Sequence, residues 1–125
     1  MITRYIGLDY GEKRIGVALG DSESKIAIPF EVAANADEVV KIIKEEEIDE
    51  IVVGLPLTMK SESGTMVQAV SGFVKELIDR TSLPVIEIDE RLSSQAADKL
   101  LGAKDKSRRD AVAAMVILQT YLDKL

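Results

Sequence analysis

Histidine, cysteine and tryptophan are all missing from these 125 residues. Without histidine, Ser-His-Asp and Cys-His catalysis are excluded, as are histidine-ligated zinc sites. Without cysteine there is no disulfide framework and no thiolate metal site, which fits a reducing cytoplasm. Aromatic residues are only 4% of the chain, so a platform for stacking several bases is not evident, although Tyr10 stands where it can stack one. No apolar run approaches the roughly 20 residues needed to span a bilayer. Met1 to Tyr5 passes straight into a strand, with no signal-peptide pattern. Basic residues are in the minority, 16 against 22 acidic, for a formal net charge of −6. That argues against a general nucleic-acid coat while leaving room for a local basic site.

What remains for chemistry is carboxylate, lysine, arginine, hydroxyl and backbone. Carboxylates without histidine suit hard, oxygen-loving cations such as Mg2+ or Mn2+. Apolar residues make up 46% and charged residues 30%, the composition of an ordinary globular protein. A chain of this length is expected to form a single domain, residues 1–125, with one sizeable core.

The chain is organised around Ile6 to Gly20. Ile6 and Leu8, then Ile15, Val17 and Leu19, alternate with small or polar residues, the period of a pleated strand. Asp9-Tyr-Gly-Glu-Lys13 supplies the turn between them, with Gly11 free to take a positive φ. Asp9 ends the first strand. A carboxylate there costs desolvation energy unless a cation or donors satisfy it. Glu90 and Asp110, far along the chain, are able to meet it. The plainer alternative is that Asp9 only helps make the turn.

After the polar turn Ser22-Glu-Ser-Lys25, Ile26 to Phe30 reads as a third strand, and Pro29 assigns it to a sheet edge. Asn35 starts a helix with a capping-box-like pattern, and Val39, Val40, Ile42 and Ile43 form its apolar face to about Glu47. The acidic run at 45–47 reads as a solvated face. Glu50 to Gly54 is a continuous apolar run, the mark of a strand buried on both faces. A polar loop, Met59 to Gly64, precedes a helix from Thr65 to Arg80 whose core stripe is Val67, Val70, Val74, Leu77 and Ile78. Pro84 to Ile88 is the fifth strand. A short helix from Ser93 to Leu101 follows, and then a final helix capped by Ser107 and apolar nearly all round from Ala111 to Leu118.

The pattern β-β-β-α-β-α-β-α-α implies an α/β fold with a mixed five-stranded sheet, order 3-2-1-4-5, and helices on both faces. Sites in such sheets form at the carboxyl ends of parallel strands. Asp9, Gly54-Leu-Pro56 and Asp89-Glu90 all leave strands at that edge.

Several motifs then share one likeness. Gly7-Leu-Asp-Tyr-Gly11 with Lys13-Arg-Ile-Gly-Val17, Val53-Gly-Leu-Pro56, Asp89-Glu-Arg-Leu92, and Asp110-Ala-Val-Ala-Ala114 with Ile117-Leu-Gln119 resemble the YqgF (RuvX) family over essentially the whole chain. Its members are described as Holliday-junction-resolvase-like proteins and as pre-16S ribosomal RNA nucleases. The resemblance implies a ribonuclease-H-like fold and carries the family's acidic triad onto Asp9, Glu90 and Asp110, as catalytic residues and metal ligands. Three converging carboxylates repel one another and demand a divalent cation, Mg2+ or Mn2+. Sites of this kind place two metal ions roughly 3.5–4 Å apart, one activating water and one stabilising the leaving oxygen. Alternatives stay open at each position. Asp110 can instead complete a capping box with Ser107, and Glu90 can pair with Arg91. Asp89 inherits the role if Glu90 faces away from Asp9. The connection from Leu101 to Asp110 is shorter than the family's.

The nucleic-acid-binding residues are expected to be Lys13, Arg14, Arg91, Lys104, Lys106, Arg108 and Arg109, acting on backbone phosphates. The reading is a metal-dependent nuclease of structured RNA, in 5′-end processing of pre-16S ribosomal RNA, located in the cytoplasm. It is compatible with a homodimer. Alternatives are a resolvase of branched DNA and a non-catalytic nucleic-acid-binding protein of the same fold. A two-domain ATPase with a similar first hairpin would need a second such domain, and there is no Walker loop.

Overall fold

A computed structural model of the chain describes residues 1–11, 13–55, 65–89 and 106–125. Three strands come first: β1 (Arg4–Tyr10), β2 (Ile15–Asp21) and β3 (Ile28–Ala33). They are followed by α1 (Ala36–Glu45), β4 (Glu50–Leu55), α2 (Thr65–Thr81), β5 (Val85–Asp89) and α3 (Lys106–Leu122). The strands form one five-stranded sheet in the order β3-β2-β1-β4-β5. The pairs β1–β2 and β2–β3 are antiparallel, and β1–β4 and β4–β5 are parallel. This is the expected topology, with β1 in the centre.

Period-two alternation divides the sheet into two faces. On one, Ile6, Leu8, Val17, Ile51 and Val53 pack against Val39 and Ile43 of α1 and Phe73 and Leu77 of α2. On the other, Tyr5, Ala18, Val52 and Ile88 pack against Ala114, Ile117, Leu118 and Leu122 of α3. The α3 run is apolar all round because Ala111 to Ala114 are buried together. No helix among the described residues is long and apolar enough to cross a membrane.

Several local expectations shift, each for a physical reason. β3 begins at Ile28, two residues later than its apolar run. Lys25 takes a φ of 56°, and the Ala27 N–H donates to Gln119 Oε1 of α3 at 2.8 Å rather than to a strand. Gln119 Nε2 in turn donates to the Lys25 carbonyl at 2.9 Å. The edge position expected from Pro29 holds. Asn35 caps α1, its side chain accepting from the Glu38 N–H. That helix ends at Glu45, and Glu47 takes a φ of 53°. The acidic run is not merely solvated, since Glu46 Oε1 lies 3.4 Å from Arg4 Nη2. On α2, Ile78 is 44% exposed, while Phe73 is buried. The core stripe is therefore centred on Val70, Phe73 and Leu77, and Ile78 falls a further 100° round, past its border. The side chain of Ser107, and with it the expected cap and the capping box with Asp110, lies outside the described residues. The loop at 59–64 and the short helix at 93–101 lie outside the described residues.

Candidate active site

Asp9 lies inside β1, bridged on both sides. Its partner in β2 is Gly16 and its partner in β4 is Gly54. Lateral partners in a pleated sheet share a face, so the residues flanking Asp9 on that face carry no side chain. The space over Gly16 is taken by α3: a Cβ there would overlap the backbone carbonyl of Asp110. At Gly7, two residues back along the same face, a Cβ would come within 2.6 Å of Leu118 Cβ. The two glycines let α3 lie directly on the strands, where one backbone approaches another closely. That approach brings Asp110, in the second turn of α3, over the hairpin that carries Asp9.

The result is a cleft of ≈ 380 Å³ lined by Asp9, Gly11, Lys13, Arg14 and Asp110. Arg14 Nε donates to Asp110 Oδ2 at 2.5 Å, with side-chain exposures of 38% and 20%. A partly exposed pair of this kind contributes about 0.2–1 kcal/mol. Gly11 does not use the positive φ open to a glycine. A Cβ at Gly11 would sit 2.8 Å from the Arg14 carbonyl, so its value is close approach across the turn.

The cleft gathers two of the three expected carboxylates, Asp9 and Asp110, with two of the expected cations, Lys13 and Arg14. Arg108 is exposed and Arg109 half-buried, and neither lines the cleft. Glu90, Arg91 and Lys104 lie outside the described residues, and Lys106 is described only as the start of α3. Asp89 pairs with Leu55, whereas Ile88 pairs with Gly54. The lateral row containing Asp9 therefore runs Asp9–Gly54–Ile88, and Asp89 is one place out of it. Tyr10 does not line the cleft; its ring meets Phe73 at 4.8 Å on the opposite face.

Two features escaped the sequence reading. The close-approach role of Gly16 had a signal, a glycine in phase with Gly20 within an otherwise apolar strand. The Arg14–Asp110 pair had none, because 96 positions separate its members.

A sequence model of the RuvX family, described as Holliday junction resolvase, matches residues 3–124. The chain belongs to this family. Among its relatives, a protein of Chloroflexus aurantiacus is 42% identical, over 94% of this chain and 85% of its own length. One from a Sulfurihydrogenibium species is 40% identical, over 99% of this chain and 92% of its own length. Both are named "Putative pre-16S rRNA nuclease". Among solved structures, Thermus thermophilus RuvC in complex with a Holliday junction substrate is similar with a TM-score of 0.62 and 14% identity, over 98% of this chain and 94% of that one. The yeast mitochondrial Holliday junction resolvase Ydc2 is similar with a TM-score of 0.59 and 10% identity, over 96% of this chain and 78% of that one. At such identities the likeness shows the fold, which is ribonuclease-H-like.

Proposed function

We propose that this protein is a divalent-metal-dependent nuclease that hydrolyses phosphodiester bonds of structured RNA in the 5′-end processing of pre-16S ribosomal RNA, in the cytoplasm. The observation that carries the chemistry is the cleft where Asp9 and Asp110 meet Lys13 and Arg14 at the carboxyl end of the central strand. The names of the 35–42% identical relatives supply the RNA.

The donor set fits a hard cation. Two carboxylates line the cleft, and a cationic guanidinium already sits on one of them. Asp9, Asp110 and Glu90 would hold Mg2+ or Mn2+. Glu90 is preferred to Asp89 because Ile88 stands level with Asp9 and strand alternation returns to that face at every second residue. When bound, the metal supplies a water of lowered pKa and neutralises charge on the leaving oxygen. The residues of the chain do the rest. Lys13, exposed and lining the cleft, binds a backbone phosphate as a point charge. Gly54, the partner of Asp9 in β4, brings no side chain against the scissile phosphate. Arg91, Lys104, Lys106, Arg108 and Arg109 are assigned to flanking phosphates, where contacts fix the nucleic acid without reading its sequence.

Branched DNA is the second reading, favoured by the family's description as Holliday junction resolvase. One experiment separates the readings. A panel of precursor-like RNA, duplex and four-way junction is incubated with Mg2+ or Mn2+, with Asp9→Asn as control. Metal-dependent cleavage of the RNA supports the proposal, and cleavage of the junction alone replaces it with the second reading. Binding without cleavage under either metal sinks both.

A further inference from the structure

Arg14 and Asp110 are both residues that the site needs, and they are bonded to each other. Arg14 Nε donates to Asp110 Oδ2 at 2.5 Å. A divalent cation ligated by Asp110 would share a carboxylate whose Oδ2 already accepts from the guanidinium. Two cations on one carboxylate repel one another. The guanidinium and a metal ion are therefore competitors for Asp110.

We propose that Arg14 is an exchangeable placeholder: it occupies Asp110 until a divalent cation takes that carboxylate, and the released guanidinium then binds a phosphate of the nucleic acid. The inference rests on the metal-dependent reading above. Three observations support the exchange. The Arg14 side chain is 38% exposed, so it has solvent to move into. Its backbone leads directly into β2 at Ile15, and its carbonyl lies 2.8 Å from where a Cβ of Gly11 would be, so the movement proposed is one of the side chain. Its partner lines the same cleft as Asp9 and Lys13, so a short swing leaves the guanidinium where a substrate phosphate must lie. Guanidinium suits both partners, because its fork of donors matches carboxylate and phosphate alike. The consequence is coupling: metal binding readies Arg14 for nucleic acid, and by linkage nucleic acid tightens the metal.

The test begins with Mg2+ alone, titrated by calorimetry into the parent and into Arg14→Ala. The variant should bind roughly five- to tenfold more tightly, since a competing charge is gone. Arg14→Lys, which keeps a cation but not the fork, should fall between the two and guards against a folding defect in the alanine variant. In the parent, the Arg14 Nε–H nuclear magnetic resonance signal should move with the same midpoint as the calorimetric isotherm. The second arm measures binding of a short RNA hairpin as a function of salt, in EDTA and in Ca2+. The parent should show a salt slope larger than that of Arg14→Ala by roughly one in Ca2+ and by none in EDTA. Equal Mg2+ affinity in the parent and Arg14→Ala, with Asp110→Asn still losing it, overturns the exchange and leaves the metal-dependent reading standing. So does the same slope difference in EDTA as in Ca2+. Absence of Mg2+ binding by the parent and by Arg14→Ala overturns both.

Discussion

Beneath α1 and α2 the sheet presents Ile6, Leu8, Val17, Ile51 and Val53; beneath α3 it presents Gly7, Asp9, Gly16, Ala18 and Val52. The first set is uniformly large and its members are fully buried. It removes the most apolar surface from water, which is the main source of stability. The second set is small near the site. It gives up side-chain volume so that a helix backbone can rest on the strands and carry Asp110 to the hairpin. One sheet thus has a face that stabilises and a face that positions. Substitutions should therefore separate by face, with stability lost on one and cleavage on the other.

The sharpest break in that comparison is Asp9→Asn. It should abolish cleavage while leaving the fold intact, because it removes the charge proposed to hold the metal and keeps the shape. Relief of carboxylate repulsion should show as a raised melting temperature. Retention of more than a few percent of the parent's turnover would defeat the mechanism. On the stabilising face, Leu77→Ala should cost about 2–5 kcal/mol in denaturant unfolding. Cleavage per folded molecule should not change, and a large loss there would blur the division between faces. Gly16→Ala tests the positioning face directly. Its Cβ must push the first turns of α3 off the hairpin, at a cost of about 1–3 kcal/mol. Cleavage by the fully folded fraction should fall well below that of Leu77→Ala; equal turnover in the two variants would show that the close approach does not position Asp110.

Smaller effects lie further from the carboxylates. Lys13→Ala should weaken RNA binding across all sequences and flatten its salt dependence by roughly one slope unit, with little change in turnover once substrate is bound. An unchanged slope would remove Lys13 from the phosphate contacts. The smallest effect is expected at Asp21, where β2 ends, at the other end of that strand from the site. Its carboxylate is held below the usual carboxylate range, first by the Ser24 N–H, with the Glu23 N–H adding to it. A lowered folded-state pKa contributes stability that is present above the unfolded value and is lost as pH falls through the folded one. Asp21→Asn should therefore lower the melting temperature at neutral pH, and the gap from the parent should close in acid. A gap that stays constant down to pH 2 would assign the effect to the turn's geometry instead of the charge.

Strand order, the edge position of β3 and the helices on both faces were legible because they follow from local patterns: period-two alternation, a capping asparagine at 35, and crossovers that run right-handed. The placement of Asp9 at the carboxyl end of a central strand follows from the same reasoning. The misjudged details are those in which a distant segment takes a group that local pattern had assigned elsewhere. Gln119 claims the Ala27 N–H and shortens β3 at its start. The packing of α2 on the sheet turns Ile78 outward.

By itself, the sequence determined which chemistries were available to this protein and which edge of the sheet would host them, because composition and periodicity act residue by residue along the chain. Only the tertiary structure decided that Arg14 would bond Asp110 and that Gly16 would lie beneath it. Those relations depend on the distance between backbones 94 and 96 positions apart, and no local propensity encodes such a distance.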